Sequence, residues 1–234
     1  EPNHIADWME NWFRAAAPLS GKRVLITAGP THEPIDAVRF IGNRSSGKMG
    51  YALAEAFIQK GADVLLISGP VQLNPPAGVH EFVKVETAQE MYDAAMARFG
   101  NSDVAVAAAA VADARPTTPS DRKLHKDELP TAIGLEPTLD ILAAWGKCKT
   151  SDQTVVGFAL ETDNGEASAK SKLERKGADF MVLNSTADEG AGFGTDTNRI
   201  TIFEKNGDSH KFELKSKAKV AEDIVHTLLN SIHP

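Results

Sequence analysis

The sequence predicts an α/β fold: a mostly parallel sheet with helices on both faces, extended by a β-hairpin near the C-terminal end. Three observations carry that expectation. Short apolar and β-branched runs alternate with segments of helical period in one recurring order. Several runs end in Gly or Pro, where backbone N–H groups can face a ligand with no side chain between. Near the end, two strand-like segments flank Asn206-Gly207, a two-residue hairpin turn.

Taken in order, "KRVLITAG" (22–29) is the first strand, and 46–60 is a helix that places Met49, Leu53, Ala56 and Phe57 on one face and stops at Gly61. "ADVLLISGP" and "FVKVE" are the second and third strands. Thr87 followed by Glu90 makes a capping box for the helix "AQEMYDAAMARF", which Gly100 and Asn101 close. "DVAVAAAAVAD" (103–113) is the fourth strand, and its small side chains imply that something approaches the backbone closely. "TVVGFALE" (154–161) and "ADFMVLN" (178–184) are the fifth and sixth, with helices before and between them. "RITIFEK" and "SHKFEL" form the hairpin, and a last helix turns Val220, Ile224, Leu228 and Ile232 inward. This order is Rossmann-like, so a ligand is expected beyond the carboxyl ends of the strands, where the topology switches. The irregular, proline-rich stretch 114–134 reads as a lid.

Composition narrows the function. The chain has 234 residues, 42 % hydrophobic and 24 % charged, with a net charge of −7, which argues against broad nucleic-acid binding. The longest soft stretch, 104–112, is too short to span a bilayer, so no membrane role is expected. A single cysteine, Cys148, and no basic-then-apolar leader favour a cytoplasmic protein, and Cys148 reads as a surface thiol. The chain opens on Glu1, and residues 1–20, with Ile5, Trp8, Met9, Trp12 and Phe13 at helical spacing, read as a linker helix from an upstream domain. Residues 21–234 form the main domain.

"GNRSSGKMG" (42–50) has the glycine and lysine spacing of a P-loop, but Met49 stands where the magnesium-holding hydroxyl belongs, and the loop begins thirteen residues after its strand. What remains is Ser45, Ser46 and Gly47 at a helix start, either an anion site or a serine-capped helix. The G-x-G-x-x-G fingerprint of dinucleotide enzymes is missing, and the seven histidines show no metal-ligand spacing. Cations gather at Lys123 and Lys126 in the long loop and at Lys170, Lys172, Arg175 and Lys176 after the fifth strand.

"VLITAGPTHEPIDAVRFIGNRSSGKMGYALAEA", "AAAVADAR", "RKLHK", "LDIL", "VVGFALET" and "KLERKGAD" occur in the order found in phosphopantothenoylcysteine synthetase, which the chain resembles from Gly21 to its end. The resemblance implies a cytoplasmic ligase of coenzyme A biosynthesis that joins 4′-phosphopantothenate to cysteine. CTP with Mg²⁺ would activate the carboxylate as an acyl-cytidylate, and the cysteine amine would displace CMP. It further implies a homodimer, with the 199–214 hairpin as a contributor to its interface, and a flavin decarboxylase half on the native chain, with no flavin in this part.

By resemblance, Asn43 and Lys123 are the catalytic residues, and Arg39, Asn43, Ala109 and Ala110 bind the acid substrate. Arg39 would take its phosphate; Asn43 would hold or polarise the acyl carbonyl. The nucleotide would lie against Ser45, Ser46, Gly47, Ala107, Ala108, Ala109, Asp113, Leu139, Asp140, Ile141, Leu142 and Phe158. Lys123, on a closing flap, Lys172 and Lys176 would meet the phosphates. Mg²⁺ would ride mainly on the nucleotide, with Asp113 or Asp140 as the protein ligand. The chain departs from the family pattern at Arg44, at His125 and over Pro137, Thr138 and Leu139. The competing expectation is a non-catalytic nucleotide-binding module of the same fold.

Overall fold

A computed structural model describes residues 17–161, 165–185 and 195–232, without the side chains of Glu161, Ser185 and Ile232. The expected upstream helix, with Ile5, Trp8, Met9, Trp12 and Phe13, lies outside the described residues. Leu19 is already in the core, so packing of the described domain includes residues before Gly21.

The central sheet has eight strands: β1 (Arg23–Ala28), β4 (Asp63–Ser68), β5 (Glu81–Lys84), β6 (Val104–Ala107), β9 (Thr154–Glu161), β10 (Phe180–Ser185), β12 (Ile200–Glu204) and β13 (Ser209–Lys211). Their spatial order is β13-β12-β10-β9-β6-β1-β4-β5. The six from β10 to β5 are parallel, and β12 and β13 run antiparallel as the hairpin that extends one edge. The chain winds outward in both directions from the β1–β6 boundary, which is the switch point of a doubly wound sheet.

Five helices cover the sheet: α1 (Lys48–Gln59), α2 (Ala88–Phe99), α3 (Ile141–Cys148), α4 (Gly165–Lys176) and α5 (Lys217–Ile232). Strand β1 shows why both faces need cover. Val24 and Ile26 point into one layer with Leu53 and Phe57 of α1 and Val220, Ile224 and Leu228 of α5. Leu25 points the other way, among Met91, Phe99, Trp145 and Leu173 from α2, α3 and α4. The Trp145 and Phe99 rings stack at 5.5 Å. The capping box is present: Thr87 Oγ1 accepts from the Glu90 N–H while the Glu90 carboxylate accepts from the Thr87 N–H.

The fourth strand is shorter than its alanine run suggests. It pairs with β9 only as far as Ala107 opposite Gly157, whereas β9 continues beside β10 to Glu161. From Ala108 on, the chain follows the exit of β1 instead, through Ala108 N–H to Thr27 O and Ala110 N–H to Gly29 O. A gap therefore opens over the end of β9. Three short antiparallel pairs stand apart from the main sheet: β2 (His32–Pro34) with β3 (Phe40–Gly42), β7 (Ala114–Pro116) with β8 (Leu135–Pro137), and β11 (Thr197–Asn198) with β14 (Lys215–Ser216).

Candidate active site

The gap is a cavity of about 670 Å³ at the carboxyl edge of the sheet, over the switch point. One wall is the alanine exit 107–110 with Phe158 and Ala159 of β9. Small side chains keep this wall low, so a flat group can reach the backbone. Asp113, Leu139, Asp140, Ile141 and Leu142 continue the wall, and Lys172 reaches in from α4. Thr138 ties the two stretches together, its hydroxyl donating to Ala112 O at 2.5 Å and its N–H to Asp113 O at 3.1 Å.

The opposite wall begins with Asn43, Ser45, Ser46 and Gly47 and runs into the first turn of α1. Neither serine caps the helix. Gly47 is the N-cap, in the left-handed region at φ 76°, with no side-chain hydrogen bond to the turn. That conformation favours glycine, and a Cβ there would meet the Val71 side chain at 2.8 Å. The uncapped N–H groups of the α1 start are left at the cavity.

Asn43 donates both side-chain hydrogens inward, to Ala110 O at 3.1 Å and Val111 O at 3.0 Å. It thereby fastens the alanine exit in place. With both donors engaged, it is the amide oxygen that remains to meet a substrate, and polarising a carbonyl would require releasing one bond.

Asp140 caps α3 by accepting from the Ala143 N–H at 2.8 Å, and Lys176 makes a close ion pair with the same carboxylate. Burial resists ionisation of Asp140, but the Lys176 ammonium, the Ala143 N–H and Arg175 outweigh it and hold the carboxyl below its usual range. Gly146 allows this contact: a Cβ there would sit 1.8 Å from Lys176 O, so α3 and α4 meet only because the position is glycine.

Two expected residues, Arg39 and Lys123, stand outside the cavity. Arg39 forms a close ion pair with Asp36, which also accepts from the N–H groups of Val38, Arg39 and Leu124. Burial opposes ionisation of Asp36, but these donors and Arg39 bring it down to about 2. Leu124 N–H on Asp36 and Ser120 N–H on Ile35 O fasten loop 117–134 to the β2–β3 pair. Lys123, adjacent to Leu124, is exposed on that docked loop. Lys176 also lies off the cavity lining, tied to Asp140 as above. Asn43, Ser45, Ser46, Gly47, Ala107, Ala108, Ala109, Ala110, Asp113, Leu139, Asp140, Ile141, Leu142, Phe158 and Lys172 are brought together around the cavity.

Sequence reasoning missed Thr27, Lys48, Asn184, Asn198 and Lys217, which also line it. Lys217 is the first residue of α5 and is 8 % exposed. Its only sequence signal was a lysine just ahead of an inward-facing helix stripe, which ordinarily reads as a solvated charge. Among the described residues no group of three or more His, Cys, Asp or Glu could hold a metal, and no helix is long and apolar enough to cross a membrane. Cys148 is exposed, as expected.

Fold and site together define a Rossmann-like α/β domain with a cavity at the carboxyl edge of its sheet, lined by a helix start and by lysines. The chain belongs to the DNA/pantothenate metabolism flavoprotein C-terminal domain family, whose model matches residues 19–232. It is 51 % identical over 237 residues to a cysteine/cysteine sulfinic acid decarboxylase from an unknown prokaryotic organism, covering 100 % of this chain and 66 % of that protein. It is 46 % identical over 230 residues to the coenzyme A biosynthesis bifunctional protein CoaBC of Bacillus subtilis (strain 168), covering 97 % of this chain and 56 % of that one. The chain thus spans between about half and two thirds of these curated relatives. Among solved structures, the C-terminal domain of CoaBC is similar with TM-score 0.79 and 42 % identity, over 92 % of this chain and 98 % of that chain. A DNA/pantothenate metabolism flavoprotein from Streptococcus pneumoniae, at 20 % identity and TM-score 0.74, shares the fold.

Proposed function

We propose that this chain is the phosphopantothenate–cysteine ligase unit of coenzyme A biosynthesis. The observation that carries the reading is the 42 % identity with the C-terminal domain of CoaBC over nearly the whole of both chains, with the shared fold placing a cavity at the switch point. The 4′-phosphopantothenate carboxylate attacks the α-phosphorus of CTP and pyrophosphate leaves. The cysteine amine then attacks the acyl carbonyl; the C–O bond breaks, CMP departs with its electron pair, and the amine proton passes to solvent. Such chemistry asks the protein mainly to orient anions and neutralise charge.

Phe158 and the alanine exit give the base an apolar face, and the pyrimidine sits between them and the start of α3. Lys172 and the α1 N-terminus meet phosphate oxygens. Asn43 holds the floor of the reaction centre and offers its oxygen to a substrate N–H. Mg²⁺ fits as an ion carried by the nucleotide phosphates, with the exposed Asp113 carboxylate as its protein ligand, since Asp140 is paired with Lys176. When bound, it neutralises phosphate charge. Arg39, and Lys123 one residue before the Leu124 that Arg39 and Asp36 hold, are assigned to the phosphate of the acid substrate.

The chain works as a homodimer in the cytoplasm, without flavin of its own, next to a decarboxylase half on the native protein. The pairing face is β2–β3 with β7–β8, where Val38, Phe40 and Leu135 are exposed by half or more. The 199–214 hairpin, which extends one edge of the sheet, is the other candidate for that face. The deciding assay supplies phosphopantothenate, cysteine, Mg²⁺ and CTP, and pyrophosphate is expected. Absence of pyrophosphate with both CTP and ATP overturns the ligase reading, and nucleotide binding without turnover would leave the non-catalytic module.

A further inference from the structure

The proposed reaction needs a seat for free cysteine, and the cavity has an end, beyond the α1 N–H groups assigned to the phosphates, to which no reactant has yet been given. It lies where β10, β11 and the starts of α1 and α5 converge. Lys217 opens α5, buried, its ammonium donating to Thr195 O. Lys48 opens α1 and bonds the largely exposed Asp196 at 2.5 Å. Two amide side chains stand beside these ammonium groups. Asn198 is 3 % exposed, and its Oδ1 accepts no hydrogen bond within the protein; the Oδ1 of Asn184, at the end of β10, is likewise unpaired. All four residues line the cavity.

The direction of the Asn198 amide follows from its neighbour. Its Nδ2 lies 3.7 Å from Met49 Sδ, and a thioether can only accept, so the NH₂ side faces the sulfur and the oxygen points away from it, on a residue that lines the cavity. A buried unmet acceptor costs free energy unless a ligand supplies the donor. Burial and Lys48 both work against the Lys217 charge, while Asp196 favours it. An anion entering here would relieve both opposing effects.

The corner therefore asks for a ligand with an anionic group and N–H donors a few bonds apart. Phosphate oxygens satisfy the lysines but add lone pairs against the two amide oxygens. An α-amino acid satisfies both. We infer that Lys217, Asn198 and Asn184 form the cysteine subsite, with the α-carboxylate on Lys217 and the amine on the asparagine oxygens. This subsite rests on the ligase reading above.

Cysteamine, which is cysteine without its carboxylate, provides the test. Wild-type protein should prefer cysteine over cysteamine in kcat/KM by at least about 10-fold, as loss of a charged hydrogen-bonded contact predicts. Lys217→Met should collapse that preference to within about 2-fold, by raising the KM for cysteine while the KM for CTP holds. Asn198→Ala should raise KM for both amines alike and keep the preference, because both carry the amine. If Lys217→Met does not fold, Lys217→Gln, which keeps a donor for the Thr195 carbonyl, carries the same comparison. An intact preference in the Lys217 variant, or a raised KM for CTP in place of cysteine, overturns the subsite and in the second case gives Lys217 to the polyphosphate. Failure of wild-type protein to release pyrophosphate would instead overturn the ligase reading itself, so the two failures are distinct.

Discussion

The two walls of the cavity both carry lysines, but they spend the charge differently. On the α3–α4 wall, Lys176 is tied to Asp140, and Asp140 in turn caps α3. On the α1–α5 wall, Lys217 is buried next to Lys48, and two amide oxygens are unmet. The Lys176–Asp140 pair of the first wall is complete without a ligand, and around it that wall offers shape and apolar surface; the second wall holds polar groups in a state that a ligand would improve. A self-satisfied wall suits a flat base recognised by fit, while an unsatisfied one suits a small, charged, exchangeable guest.

The largest expected effect comes from breaking the first wall. Gly146→Ala places a methyl group 1.8 Å from Lys176 O, so α3 and α4 must separate. A backbone clash of this kind costs at least about 3 kcal/mol, which lowers the melting temperature by roughly 6–12 °C for a domain of this size. A melting curve within 2 °C of wild type would show that the crossing is looser than the geometry implies. Lys176→Met comes next. It leaves α3 capped but removes the ammonium that keeps Asp140 ionised, so the Asp140 carboxyl rises toward its ordinary value. Because its folded-state value lies below the unfolded one, its contribution is full above the unfolded value near 4 and fades as pH falls through the folded one. The variant should lose about 1 kcal/mol at neutral pH, the pair being partly exposed, and its acid unfolding should begin at higher pH. Identical acid midpoints would remove Lys176 as the cause.

How much of this was readable beforehand follows the same division. Five of the six parallel strands were legible as largely apolar runs buried in the sheet, the edge strand β5 (Glu81–Lys84) from the shorter run Phe82-Val83, and the α2 start because a capping box is written in two local residues. The alanine wall was legible from its composition, though the strand itself ends at Ala107; an apolar run cannot show that its partner β9 turns toward β10 and leaves it. The short pairs β2–β3, β7–β8 and β11–β14 carry two or three residues each and no period, so only tertiary contact reveals them. Lys217 and Asn198 were invisible for a related reason. Nothing local distinguishes a lysine that opens a helix in solvent from one buried there, and their meeting depends on β11 pairing with β14, a contact of two residue pairs.

The docked loop 117–134 gives a third, smaller effect, outside both walls. Burial opposes ionisation of Asp36, yet the N–H groups of Val38, Arg39 and Leu124 and the Arg39 guanidinium bring it down to about 2. Within the loop, Arg122, first, and the His125 N–H bring Glu128 to about 2 as well. Both carboxyls lie below their unfolded values, so the anchorage is full above about pH 4 and is lost as pH falls toward 2. Pepsin cleavage at Leu124 and Leu129, normalised to an unstructured peptide, should therefore accelerate over that interval. A constant normalised rate would mean the loop is held by something other than these carboxylates.

The smallest effect sharpens the second wall. Lys48 and Asp196 are 40 % and 83 % exposed, so Lys48→Gln should change stability by no more than about 0.5 kcal/mol. Its effect on Lys217 should nevertheless be visible. Lys48 is the charged neighbour that depresses the Lys217 ammonium, after burial itself, and Asp196 is the one that supports it. Removing Lys48 leaves the supporting charge in place, so Lys217 should titrate at higher pH in the variant, as followed by carbon NMR of its side chain. A downward shift would mean that Lys48 acts on Lys217 mainly by keeping Asp196 in position, and the picture of two like charges awaiting one anion would give way to a relay of alternating charges.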